Sequence, residues 1–180
     1  MSMPSRVAIV LLLSLSAALA QPPALDPRSS FRIYFPNDSP LAVVSADMGD
    51  SVVSARGSAM VIDLHTSLTL RNSSSGRVRG VTLLVLAQEV TAGGKASVSV
   101  PSLDVGSGET FPVRIELRLL RPLFPPGPLV RVSLDGVLFE DLSFYGPDQL
   151  NSRRSMTAWE MEARRDRRYF KSVLQAQGQE

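Results

Sequence analysis

Met60, Ile62, Leu64, Thr66, Leu68 and Leu70 fall at every second position over eleven residues, with polar Asp63, His65, Ser67, Thr69 and Arg71 between them. Successive side chains of an extended chain point to opposite faces. This stretch therefore predicts a half-buried β-strand with one wet face.

Shorter runs repeat the pattern on either side. Phe31–Phe35 alternates, and Leu41–Ala46 and Ser51–Ala55 are β-branched runs separated by Met48-Gly49-Asp50. Val81, Leu83, Val85 and Ala87 form a further strand, and Leu84 and Leu86 make its other face apolar, which predicts a central position. Ala96–Val100 is a short strand after Gly93-Gly94-Lys95, which has turn character and lacks the spacing of a phosphate loop. Val113, Ile115, Leu117 and Leu119 alternate with Arg114, Glu116 and Arg118. Leu129–Leu134 and Val137–Leu142 flank Asp135-Gly136, a pair suited to a type I′ turn, and so predict a β-hairpin.

Roughly seven to nine short strands punctuated by Gly, Pro and Asn predict a mainly β, antiparallel sandwich over residues 31–145. A small closed barrel is the alternative. Phe31, Phe35, Phe111, Phe139, Phe144 and Tyr145 are expected to supply much of the core's aromatic area.

The first residues set the expected compartment. Arg6 precedes the apolar run Val7–Leu15, and Ala18-Leu19-Ala20 places small residues where a signal peptidase reads. This predicts a secretory signal peptide over residues 1–20, cleaved near Ala20. The run is too short for a spanning helix, which needs about 20 residues. Residues 21–30, with Pro22, Pro23 and Pro27, read as a disordered leader. The chain has no cysteine, so an oxidising compartment is permitted and unexploited. That favours a bacterial periplasmic or secreted protein. Without Arg6 the balance is 18 basic against 17 acidic residues, too even to steer the chain to a polyanion, and export also argues against nucleic acid.

Two passages carry a family resemblance. Leu68–Val81, with its Asn72-Ser73-Ser74-Ser75-Gly76 turn, resembles the strand–turn–strand passage of bacterial immunoglobulin-like modules of the cell-adhesion-related (CARDB) and fibronectin type III-like kind. Leu103–Ile115 resembles the start of one of their later strands. The resemblance covers about Met60 to Leu120. It implies an immunoglobulin-like sandwich serving as a spacer, adhesion unit or docking surface, with no shared catalytic residues.

Residues 146–180 read as a linker and one C-terminal amphipathic α-helix. Thr157 and Glu160 have capping-box spacing, which predicts a helix from about Ala158 to Gln175. Trp159, Ala163, Phe170, Val173 and Leu174 fall on one face, with Arg164, Arg165, Arg167 and Arg168 over much of the remainder. Glu160 and Arg164 have the favourable i,i+4 order.

Catalytic equipment is not evident. His65 is the single histidine, and a useful metal site needs three or four ligands. No G-x-S-x-G sequence marks a nucleophile. Asp135 is explained by the hairpin turn, and adjacent Glu140 and Asp141 point to opposite faces of a regular strand. Asn72-Ser73-Ser74 matches a glycosylation acceptor, but turn chemistry explains the asparagine without it. No catalytic residue, metal ligand or small-molecule cofactor is therefore assigned.

Two features suit binding. Four prolines stiffen Arg121–Pro128, and Leu123 and Phe124 are either a plug for the sandwich end or an exposed anchor. In the helix, Trp159, Tyr169 and Phe170 with Arg164 and Arg168 are residue types that dominate binding hot spots. Their stripe either packs on the chain's own sandwich or meets a partner. Another envelope protein is the first expectation and an anionic membrane surface the second. The sequence thus predicts an exported, non-catalytic binding or scaffold module. A self-associating or chaperone-like subunit, and a carbohydrate-binding or small hydrolase domain, are the alternatives.

Overall fold

A computed structural model describes residues 30–87, 95–122 and 128–178. The expected signal peptide, most of the leader, the Gly93-Gly94 turn, and Leu123 and Phe124 lie outside the described residues.

The long alternating stretch is strand β4 (Ala59–Asn72). Its even-numbered residues from Ile62 to Asn72 are buried, while His65 and Arg71 on the other face are exposed. Both of its edges are used. On one side β2 (Leu41–Asp47) and β3 (Val52–Arg56) pair with successive halves of the strand. On the other, β7 (Thr110–Pro122) runs antiparallel along nearly its whole length.

The second sheet is built on β5 (Val78–Leu86) and β8 (Val130–Phe139). β6 (Lys95–Val100) pairs with β5, and the two-residue β9 (Phe144–Tyr145) pairs with β8. β1 (Phe31–Tyr34) also joins β8, but in parallel, so the sandwich is antiparallel except at this strand. The two sheets enclose a core that includes Ile62, Leu64, Leu68, Leu83, Val85, Ile115 and Val132. The molecule is a mainly β sandwich followed by one C-terminal helix, as the alternation predicts.

Asp135-Gly136 does not turn the chain. β8 continues through it, and neither residue adopts positive φ. Leu134 pairs with Leu83 and Gly136 with Thr82, so Asp135 is the extra residue of a β-bulge. A type I′ turn would require the two flanking runs to pair with each other. Instead both pair with β5, and the bulge absorbs the mismatch. The reversal comes later: Leu142 N–H bonds Phe139 O at 3.0 Å, and Phe139 N–H bonds Ser143 O at 3.0 Å.

Asn72 is wholly buried at the end of β4. Its amide nitrogen donates to the carbonyls of Gly76, Val105 and Gly106, and its Oδ1 accepts from the N–H and hydroxyl of Ser74. One asparagine thus ties the β4–β5 turn to the approach to β7. Among the aromatics, Phe31 and Phe111 are core residues and Phe35, Phe139 and Tyr145 pack at its margin. Phe144 departs from expectation: its ring lies over Gly136, where even a Cβ would collide with it, and Arg153 stacks on it at 6.0 Å.

The C-terminal helix, α1, spans Ser152–Gln177 and begins six residues before the predicted start at Ala158. Thr157 is not its cap; its hydroxyl donates to Arg153 O, one turn back inside the helix. Asn151 at the N-cap is left-handed with no side-chain cap bond. The capping acceptor is Asp148, whose Oδ1 takes the Arg153 N–H at 2.9 Å.

Candidate docking helix

The seat of the helix is made on the outer face of the second sheet. Leu84 and Leu138 are buried yet stand outside the inter-sheet core. Met156, 1% exposed, packs beside Gly80, where an added Cβ would lie 2.9 Å from its sulfur. The Thr82 hydroxyl approaches the same sulfur at 3.5 Å. A small residue at position 80 therefore leaves the dent that the methionine fills.

Two polar anchors flank this contact. The carboxylate of bulged Asp135 is fully buried and accepts from Gln149 N–H at 2.8 Å and from Ser152 Oγ at 2.9 Å. The bulge turns this acid toward the start of the helix.

Glu160, 1% exposed, forms the second anchor. Its Oε1 accepts from Arg164 Nε at 2.9 Å and Arg167 Nη2 at 2.8 Å, and Arg79 Nε of β5 lies 3.8 Å away. Arg79 reaches on to Asp104 at 2.7 Å and Glu140 at 2.5 Å, and Arg77 also pairs with Asp104 at 2.9 Å. Arg164 donates in addition to the Glu140 carbonyl. The hydrogen bond from Arg77 holds the Asp104 carboxyl below its ordinary range. Glu160 Oε2 and Arg79 Nε are buried without a hydrogen-bond partner among the described residues. The network is thus incompletely satisfied, and removing one of its partners would leave a buried charge less compensated still.

Beyond Arg164 the helix leaves the sandwich. Every residue from Arg165 to Gly178 is exposed except half-buried Val173. Trp159 is 44% exposed, Phe170 61% and Leu174 69%, and Met161 and Tyr169 are exposed as well. Tyr169 and Phe170 meet edge to face with centroids 5.6 Å apart. The apolar stripe therefore does not pack on its own sandwich.

The residues singled out in the sequence divide accordingly. Trp159, Tyr169 and Phe170 share the uncovered surface. Arg164 is committed to Glu160 and Glu140, whereas Arg168 is exposed, its Nε donating to Arg164 O at 3.4 Å. Arg164, Arg167, Arg168 and Lys171 face Arg79 and Glu140 across a shallow groove of ≈ 460 Å³. Sequence reasoning missed Asp135, Met156, Glu160 and Arg79 as the elements that hold the helix.

His65 is exposed on β4 opposite Glu116, and its backbone N–H donates to Ser51 Oγ at 2.8 Å. Among the described residues, no group of three or more His, Cys, Asp or Glu is placed to hold a metal ion. No described helix is long and apolar enough to cross a membrane. Comparison with protein-family models, with curated proteins and with solved structures finds no match.

Proposed function

We propose that this chain is an exported, non-catalytic binding module of the bacterial envelope, in which the sandwich is a rigid platform and α1 is the contact element. One observation carries the reading. The helix is seated by buried groups over its first turns, yet it exposes Trp159, Met161, Tyr169, Phe170 and Leu174. Isolated helical segments shorter than about 12–15 residues are marginal in water, so a projecting distal half gains stability when something covers it. Large exposed apolar groups rimmed by charge are the usual mark of an interaction surface.

The strand order supports an immunoglobulin-like relationship. β4 neighbours β7 in one sheet while β5 neighbours β8 in the other, matching the B–E and C–F pairs of that architecture. Export rests on the signal-peptide pattern of residues 1–20. Self-association through a sheet edge has less in its favour. β7 pairs along one side with β4, and its outward side chains include Arg114, Glu116 and Arg118, which discourage strand addition.

The test is site-specific photo-crosslinking in living cells. A crosslinker at Phe170 is expected to give a discrete adduct, to protein or to lipid, and one at His65 is expected to give none. Absence of any adduct from positions 170 and 174 would remove α1 as the contact element.

A further inference from the structure

We infer that the distal half of α1 docks on an anionic lipid surface. This rests on the reading of α1 as the contact element and names its partner. Residues on an α-helix are separated by about 100°. On that geometry Tyr169, Val173, Trp159, Phe170, Ala163 and Leu174 share one arc of about 140°; its edge at Leu174 falls on the line of Met156, and Glu160 lies about 40° beyond it. The opposite arc carries Arg164, Arg165, Arg168 and Lys171. Asp166 is the sole carboxylate between Arg164 and Gln177, against five cations.

This division is what an interfacial helix requires: a modest share of apolar residues, gathered with the aromatics on one side, and Arg and Lys on the other. Tyr and Trp favour the boundary between headgroup and acyl chain, and Arg stems reach outward to phosphates.

Charge decides against a second copy as occupant. The helix has seven Arg or Lys and three acids, so two copies side by side would oppose like charges. A protein groove would need an acidic rim. An anionic bilayer supplies negative charge along the whole helix without a specific register. Glu162 and Asp166 fall within the apolar arc and oppose lipid contact; Glu162 is paired with Arg165, and Asp166 lies 4.0 Å from Arg165 Nε.

Trp159, the sole tryptophan, reports the outcome. The purified protein is mixed with vesicles of phosphatidylcholine alone or of equimolar phosphatidylglycerol and phosphatidylcholine. Anionic vesicles are expected to sediment the protein, shift Trp159 emission to the blue and protect it from acrylamide; neutral vesicles are not. The combined variant Arg165→Gln, Arg168→Gln, Lys171→Gln is expected to lose on the order of 100-fold in partitioning, since each cation near an anionic surface contributes about a factor of five. Phe170→Ser with Leu174→Ser is also expected to abolish binding, and Asp166→Asn to strengthen it. Equal binding to both vesicle types, or no binding while Trp159 stays open to quencher, would overturn the lipid assignment and leave the contact element in place. A lipid-free, concentration-dependent blue shift would overturn it in favour of self-pairing. A Trp159 shielded from quencher at every dilution without lipid would overturn the contact element itself.

Discussion

Ser152 Oγ donates to the buried carboxylate of Asp135 at 2.9 Å, joining the first residue of the helix to the bulge of a central strand. The same carboxylate accepts Gln149 N–H, and the Asp135 carbonyl accepts the N–H of Asp148, the residue that caps the helix. Sheet irregularity and helix start are therefore one feature. Asp135→Ala strands the buried Ser152 hydroxyl and the partly buried Gln149 N–H, so a loss of about 1–3 kcal/mol is expected. Denaturant midpoints check this; a change within about 0.5 kcal/mol, the range of an ordinary surface substitution, would refute it.

Glu160 is the negative centre for Arg164 and Arg167, with Arg79 close by. Glu160→Ala leaves Arg79 next to a vacated, poorly solvated position, and about 3 kcal/mol of stability is expected to be lost. Trypsin should then cut at Arg153 and Arg154 faster than in the wild type. Replacing Arg79 and Glu160 together by Met removes both charges and should recover much of the loss. If the double variant is as unstable as Glu160→Ala, the buried charges are not what docks the helix.

Met156 and Phe170 lie on one helix with opposite fates. Met156→Ala opens a cavity over Gly80 and Thr82 and is expected to cost about 2–3 kcal/mol. Phe170→Ser touches no described tertiary contact and should stay within about 0.5 kcal/mol of wild type. Thermal unfolding of the two variants side by side provides the comparison, and equal losses would mean that the distal helix is covered in the isolated protein.

Asp104 gives a pH dependence of defined sign. Its folded pKa is lowered from 3.8, first by the hydrogen bond from Arg77 and also by the charge of Arg79. A depressed carboxylate contributes stability that is present above the unfolded value and is lost as pH falls through the folded value. The stability difference between wild type and Asp104→Asn should therefore shrink as pH drops below 3.8. The group is well exposed, so the effect is small. A difference that stays constant from neutrality into strong acid would contradict it.

Much of the sandwich is legible in the sequence because strand burial is local. Alternation in Met60–Leu70 reports one buried face wherever the partners come from, and apolar Leu84 beside Leu83 marks a strand covered on both sides. Asp135-Gly136 is misleading because the choice between turn and bulge is made by β5, which lies far away in sequence. The helix start is displaced for a similar reason. Thr157 and Glu160 have capping spacing, but the Glu160 carboxylate is taken up by Arg164 and Arg167, and the capping acceptor lies upstream at Asp148. The hot-spot residues Trp159, Tyr169 and Phe170 are visible by type alone. Their seat is not, since Gly80 and Thr82 acquire meaning only once Met156 is laid across them.

A helix of this length held at one end behaves as a lever. At a rise of 1.5 Å per residue, Gln177 lies about 26 Å beyond Glu160. A tilt of about 10° at the fulcrum would sweep the tip through about 4–5 Å, roughly the pitch of one helical turn. Small adjustments among Gly80, Met156 and Arg79 would thus be magnified into where the far end of the chain points.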